Sequence, residues 1–124
     1  KWKQIIVEQL VYVAETEEGE IIGFANGGRE KSGKYPDYQG ELYAIYILER
    51  YQRKGIGKLL LKAIVQELIA NNLFSMTVQV LEQNQSRLFY ESFGAKPIDK
   101  IEIEILGKKL NELVYAWDDI RTLI

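Results

Sequence analysis

The sequence predicts a mixed α/β fold with strands and helices around one mixed sheet. Three observations predict it. Short apolar runs alternate with an amphipathic stretch at helical spacing, one run leads through a basic two-glycine turn into a helix, and the chain closes on a strictly alternating strand pair. At 124 residues the chain is expected to form a single domain over residues 1–124, large enough to bury about two thirds of the surface its unfolded form exposes.

Residues 2–9 read as a short helix or the tail of a longer one. Residues 10–14 and 20–25 are apolar strands separated by acidic residues and Gly19, as a hairpin requires. Residues 26–40, with Gly27, Gly28, Gly33 and Pro36, read as a loop or a ragged hairpin end. Residues 42–48 form the third strand. Over residues 57–71, Leu60, Leu61, Ile64, Leu68 and Ile69 recur on one helical face, opposite Lys58, Lys62, Gln66 and Glu67, and Asn71 with Asn72 closes the helix. Residues 75–81 are β-branched and alternating, a fourth strand parallel to the third. Residues 84–93 are a short helix stopped by Gly94 in the left-handed region. Residues 101–105 and 113–117 pair across Gly107, Lys108 and Lys109 as a last hairpin.

The segment with the most chemistry is the turn after the third strand. Its glycines let backbone approach a ligand, and the N–H groups that open a helix have no partner of their own, which favours an anion. Residues 50–62 hold Arg50, Arg53, Lys54, Lys58 and Lys62 with no acid, a local charge of +5 in a chain of net charge −2. A ligand is expected at the carboxyl end of the preceding strand. A Walker loop is excluded because Leu59 follows Gly57-Lys58 and no glycine stands at the required distance before them. A dinucleotide fingerprint is disfavoured because Leu60 occupies the third glycine position.

Composition narrows the classes further. With 47% hydrophobic and 27% charged residues the chain reads as soluble and globular. No long apolar stretch or signal-peptide pattern suggests a membrane, so a cytoplasmic location is expected. The absence of Cys and His excludes disulfides, thiolate nucleophiles, imidazole bases and the usual zinc sites, and no metal is expected. A pI near 5.3 argues against nucleic acid as a partner.

Three features go together: Gln52-x-x-Gly55-x-Gly57 after an apolar strand, the segment Asn84-Gln85-Ser86-Arg87-Leu88-Phe89-Tyr90-Glu91-Ser92-Phe93-Gly94-Ala95, and the final hairpin ending Tyr115-Ala116-Trp117. By these the chain resembles the GNAT superfamily of acetyl-coenzyme A dependent N-acetyltransferases. The resemblance spans residues 10–119 and implies the GNAT-like acyl-CoA N-acyltransferase fold without its first strand and most of the helical pair that usually follows. It also implies acetyl-CoA as co-substrate. Backbone amides of Arg53, Lys54, Gly55, Ile56, Gly57 and Lys58, after Gln52, would hold its pyrophosphate. Main-chain groups of Ile45, Tyr46 and Ile47 would pair with its pantetheine arm. Asn84 matches the coenzyme-contacting Asn of the family, and by its residue type it is equally a helix N-cap.

The reaction places demands on acid–base groups. An alkylamine of pKa near 10.4 is neutral in about one molecule in 2,500 at pH 7, a cost of roughly 4.6 kcal/mol, and only the neutral form attacks a thioester. By resemblance Glu41 is the general base, often through water, and Tyr90 the general acid for the departing thiolate, also touching the coenzyme. A free Tyr giving its proton to such a thiolate runs uphill by roughly 2 kcal/mol, so the site must shift one of them. With no Cys, direct attack in a ternary complex is the natural route. The acceptor is a small-molecule or peptide amine, and the acidic remainder of the chain favours a cationic one. Apolar strand edges and the Tyr115/Trp117 hairpin suggest a homodimer. A non-catalytic acyl-CoA sensor and a plain interaction domain are the competing classes.

Overall fold

The computed structural model describes residues 2–6 and 10–124. Seven strands form one sheet in the order β1-β2-β3-β4-β5-β7-β6. They are β1 (Trp2–Ile6), β2 (Leu10–Glu15), β3 (Ile21–Arg29), β4 (Gly40–Ile47), β5 (Met76–Leu81), β6 (Lys96–Ile105) and β7 (Lys108–Trp117); α1 (Ile56–Ala70) joins β4 to β5 and α2 (Ser86–Ser92) joins β5 to β6. All pairings are antiparallel except β4 with β5, as the strand–helix–strand connection requires.

The amino-terminal segment corrects the sequence reading. Residues expected as helix, with no first strand before β2, instead place β1 on the edge of β2, Trp2 opposite Ala14 and Ile6 opposite Leu10. Five residues are too few to sustain a helix alone, whereas the edge of β2 offers unpaired backbone groups to a strand. The remainder of that expected helix, residues 7–9, lies outside the described residues. Only those three residues separate β1 from β2, so the helical pair has no room there.

The core lies between the sheet and α1. Leu60, Leu61, Ile64, Val65 and Leu68 are buried on one helical face against Ala25, Leu42, Met76 and Val78. At the rim, Tyr12 donates from its hydroxyl to Glu67 Oε1 at 3.0 Å, tying β2 to α1. Asn71 ends α1 by donating its side-chain amide to Glu67 O at 2.8 Å, and Asn72 then turns left-handed at φ 63°.

Two other boundaries move. β3 continues to Arg29 because Gly27 and Gly28 find partners in Leu42 and Glu41. Only residues 30–39 remain as loop, and it is pinned: Tyr35 donates to Asp99 Oδ2 at 2.8 Å, Tyr38 to Asp118 Oδ1 at 2.7 Å, and Gln39 N–H to Ser75 Oγ at 2.9 Å. The last hairpin is longer than its alternating core and turns on Leu106 and Gly107, both at positive φ (52° and 79°), as a two-residue turn demands. Tyr115 and Trp117 belong to the core at 2% and 3% exposure, so they offer no surface for a homodimer.

Candidate active site

The site is produced by an interruption of the sheet. β4 and β5 pair only through Gly40–Met76, Glu41–Thr77 and Leu42–Val78, although β4 runs on to Ile47 and β5 to Leu81. The divergence begins at a bulge in β4. Gly27 stands opposite Leu42 and Asn26 opposite Ala44, which leaves Tyr43 as an extra residue with no place in the β3 register, its hydroxyl donating instead to Arg29 O at the end of β3. The bulge shifts the inward phase of the strand: Leu42 faces α1 before it, Ile45 and Ile47 after it. Beyond the bulge, the side of β4 that would pair with β5 lines an opening instead.

That opening is a slot of about 230 Å³, walled by Tyr43, Ala44 and Ile45 from β4, residues 78–81 from β5, Asn84, Ser86 and Tyr90 at α2, and Glu112 from β7. Tyr90 belongs to the helix side of the sheet; Tyr43 and Glu112 belong to the opposite side, called here the far face. The slot thus reaches through the sheet from α2 to the far face.

Tyr90 is 4% exposed, and its hydroxyl has no hydrogen-bond partner among the described residues. Desolvation pushes its pKa up to about 12. The group is therefore a protonated donor at any physiological pH. Asn84 sits just before α2, accepting from Ser86 N–H on Oδ1 at 2.8 Å, so it both starts the helix and lines the slot.

The basic turn opens α1 as expected. Gly55 is the N-cap at φ 84° with no side chain to cap the first turn, so the N–H groups of Ile56, Gly57 and Lys58 begin the helix without a side-chain acceptor. Arg53 is left-handed at φ 64°, and Gln52 donates its side-chain amide to Ile47 O at 3.0 Å, fastening the turn to the end of β4. Gly57 has a packing reason of its own, since a Cβ there would lie 3.2 Å from Ile47 Cδ1 and 3.3 Å from Phe89 Cε1. One cation is diverted: Arg50 pairs with Glu20 at 2.5 Å and stacks 5.1 Å from the Tyr51 ring centroid, so the +5 cluster presents one charge fewer to an anion. Arg53, Lys54 and Lys58 remain exposed.

Of the expected residues, Ile45, Asn84 and Tyr90 meet in the slot. Tyr46 is 53% exposed, with its ring 6.1 Å from that of Phe24. Glu41 does not line the slot. It stands two residues before Tyr43, half-buried, its Oε1 accepting from Lys31 N–H at 3.1 Å. Burial raises its pKa above the usual carboxylate value, opposed by that bond and by the Lys31 charge, and Glu30 and Glu112 push it the same way as burial. Tyr43 and Glu112 escape the sequence reading. A bulge has no mark in the apolar run, but a carboxylate between Leu110 and Leu113 of a strand is a visible signal for Glu112.

Comparison with known proteins gives the same direction. Residues 8–94 match the family model of the acetyltransferase (GNAT) domain. The chain is 39% identical over 123 residues to the uncharacterized N-acetyltransferase YuaI of Bacillus subtilis, covering 99% of this chain and 70% of that protein. It is 34% identical over 61 residues, 49% of this chain and 42% of the other, to the [ribosomal protein bS18]-alanine N-acetyltransferase of Haemophilus influenzae. The fold superposes on the yncA structure from Salmonella typhimurium, solved with acetyl-CoA, with a TM-score of 0.71 at 22% identity, covering 88% of this chain and 64% of that one.

Proposed function

The chain belongs to the GNAT acetyltransferase family, and from that premise we propose that it moves the acetyl group of acetyl-CoA to a primary amine by direct attack in a ternary complex. The observation that carries this reading is the slot opened by the Tyr43 bulge, with the buried Tyr90 turning an unpartnered hydroxyl to its wall. The backbone groups of Ile45 and the N–H of Ile47, which point away from β3, are available to an extended ligand as to a further strand; Tyr46 between them turns its backbone groups to Phe24, and Ile47 O is already taken by Gln52. The first turn of α1 with Arg53, Lys54 and Lys58 suits a pyrophosphate. Asn84 has its amide nitrogen left over for a ligand once Oδ1 has accepted from Ser86 N–H at the start of α2.

Acetyl-CoA supplies an activated acyl carbon and a thiolate leaving group; the chain supplies positions and protons. Glu41, whose carboxyl is made a stronger base by burial than a free one, accepts the amine proton through water, because it lies outside the slot wall. Tyr90 donates to the sulfur. At a pKa of about 12 its proton would move to an ordinary thiolate only at a cost of roughly 5 kcal/mol, so burial must raise the thiolate as well. Tyr90 then serves first as a hydrogen-bond donor that steadies developing charge and second as a proton source.

The test combines binding with turnover. Titration calorimetry with acetyl-CoA should show micromolar binding to wild type, weakened at least tenfold in a Lys54→Glu/Lys58→Glu variant, which changes only exposed side chains. Thiol release with a panel of amines should then follow. Equal binding by both proteins would remove the coenzyme assignment. Binding without release for any amine would favour the acyl-CoA sensor.

A further inference from the structure

The far-face mouth of the slot already holds a cation. Lys31 Nζ lies 3.9 Å from the centroid of the Tyr43 ring, and Tyr43 is a wall of the slot. The half-buried carboxylate of Glu112, which has no ion pair among the described residues, lines the same slot, and Glu41, which accepts from the Lys31 backbone N–H, feels the charges of both Lys31 and Glu112; Lys31 Nζ itself pairs with neither carboxylate. Glu30, close by, is satisfied by Ser32 and Gly33. The same slot contains Tyr90, 4% exposed and unpartnered, on its other side.

We propose that Tyr43, Glu112 and Glu41 form a cation site at the acceptor mouth, filled here by the chain's own Lys31, and that it takes the second positive charge of a diamine acceptor. This rests on the acetyl-transfer reading. The reason for a second charge is chemical. A monoamine seated on this site is out of place for attack, and one seated for attack must give up its proton and leaves this site empty, whereas a diamine can be held at both positions at once. A diamine keeps one ammonium for the ring face and the carboxylates while its other nitrogen attacks. Lys31 competes for the same face and must move aside.

The experiment uses 1,4-diaminobutane as probe and n-butylamine as the monocation of equal chain length. By calorimetry at low salt the diamine should bind wild type about tenfold more tightly than butylamine, the sum of one ring face and two carboxylates. Glu112→Gln and Tyr43→Leu should each remove most of that preference, while Lys31→Ala should tighten the diamine about two- to fivefold. Circular dichroism confirms that each variant is folded. Equal binding of the two amines to wild type, an unchanged preference in folded Glu112→Gln, or weaker diamine binding in Lys31→Ala would each overturn the proposal. Thiol release separates the two readings. Turnover without diamine preference removes the cation site and leaves the acetyl transfer standing; the expected binding pattern without turnover does the reverse.

Discussion

The ring of Tyr90 meets the indole of Trp117 edge-on, with centroids 6.1 Å apart and planes at 87°, so the aromatic body of Tyr90 is fixed by packing while its hydroxyl is left to the slot. The two parts of the side chain can therefore be tested separately. Tyr90→Phe keeps the packing and removes a hydroxyl that makes no hydrogen bond among the described residues, so the thermal midpoint should stay the same or rise slightly. If the hydroxyl serves the leaving thiolate, kcat should fall by about 10²-fold with acetyl-CoA affinity unchanged. A large drop in midpoint with intact kcat would make Tyr90 a core residue only.

Glu41→Gln removes a base but keeps the Lys31 N–H contact, because the amide oxygen still accepts. We expect kcat to fall by about 10²- to 10³-fold. The pH dependence has a definite sign. The wild-type pKa is raised by burial, so activity is present above that raised value and is lost as pH falls through it. Measured at saturating amine, that acidic limb should vanish in the variant. A variant that keeps the limb would place the base elsewhere.

The two glycines of the turn should fail in different ways. At Gly55 a Cβ meets nothing within 4 Å, but φ is 84°, so Gly55→Ala should cost about 1–2 kcal/mol of backbone strain. At Gly57 the backbone is ordinary and the space is taken by Ile47 and Phe89, so Gly57→Val should cost about 1–3 kcal/mol by overpacking. Urea denaturation of both variants measures this. Equal stability to wild type at Gly57 would return that glycine to a purely ligand-binding role.

The order of elements was legible in the sequence because periodicity is local. Leu60, Ile64 and Leu68 announce α1, and Ile101, Ile103 and Ile105 announce β6. Asn84 and Tyr90 were legible through a motif. The slot itself was not, because a one-residue bulge at Tyr43 leaves the run Leu42–Ile47 looking like continuous strand, and only the β3 register exposes it. The pairing of Arg50 was hidden for a related reason: its partner Glu20 lies thirty positions away, and nothing local to residues 50–62 indicates it. The edge strand β1 depends on a pairing with β2 that short-range helical spacing outweighs on paper.

Alkaline pH should unfold this protein through its tyrosines. Tyr12 is raised to about 12 by burial and by Glu67, Tyr35 to about 12 by burial and Asp99, Tyr38 to about 12 by its bond to Asp118 and by burial, and Tyr90 to about 12 by burial alone. In the unfolded chain each titrates near 10. The folded state therefore holds protons that the unfolded state has released. Their contribution to stability is complete below pH 10 and is lost as pH rises from 10 toward 12. Urea midpoints at pH 8, 9, 10 and 11 should be flat to about pH 10 and then fall, while phenolate absorbance at 295 nm appears together with unfolding rather than before it. Tyr35→Phe and Tyr38→Phe should make the fall shallower, since each removes one linked proton and loosens the 30–39 loop from Asp99 or Asp118. A decline that begins near pH 8 would assign alkaline lability to other groups, and phenolate absorbance at pH 10 in a fully folded sample would show that these hydroxyls are not held as the hydrogen bonds to Glu67, Asp99 and Asp118 require.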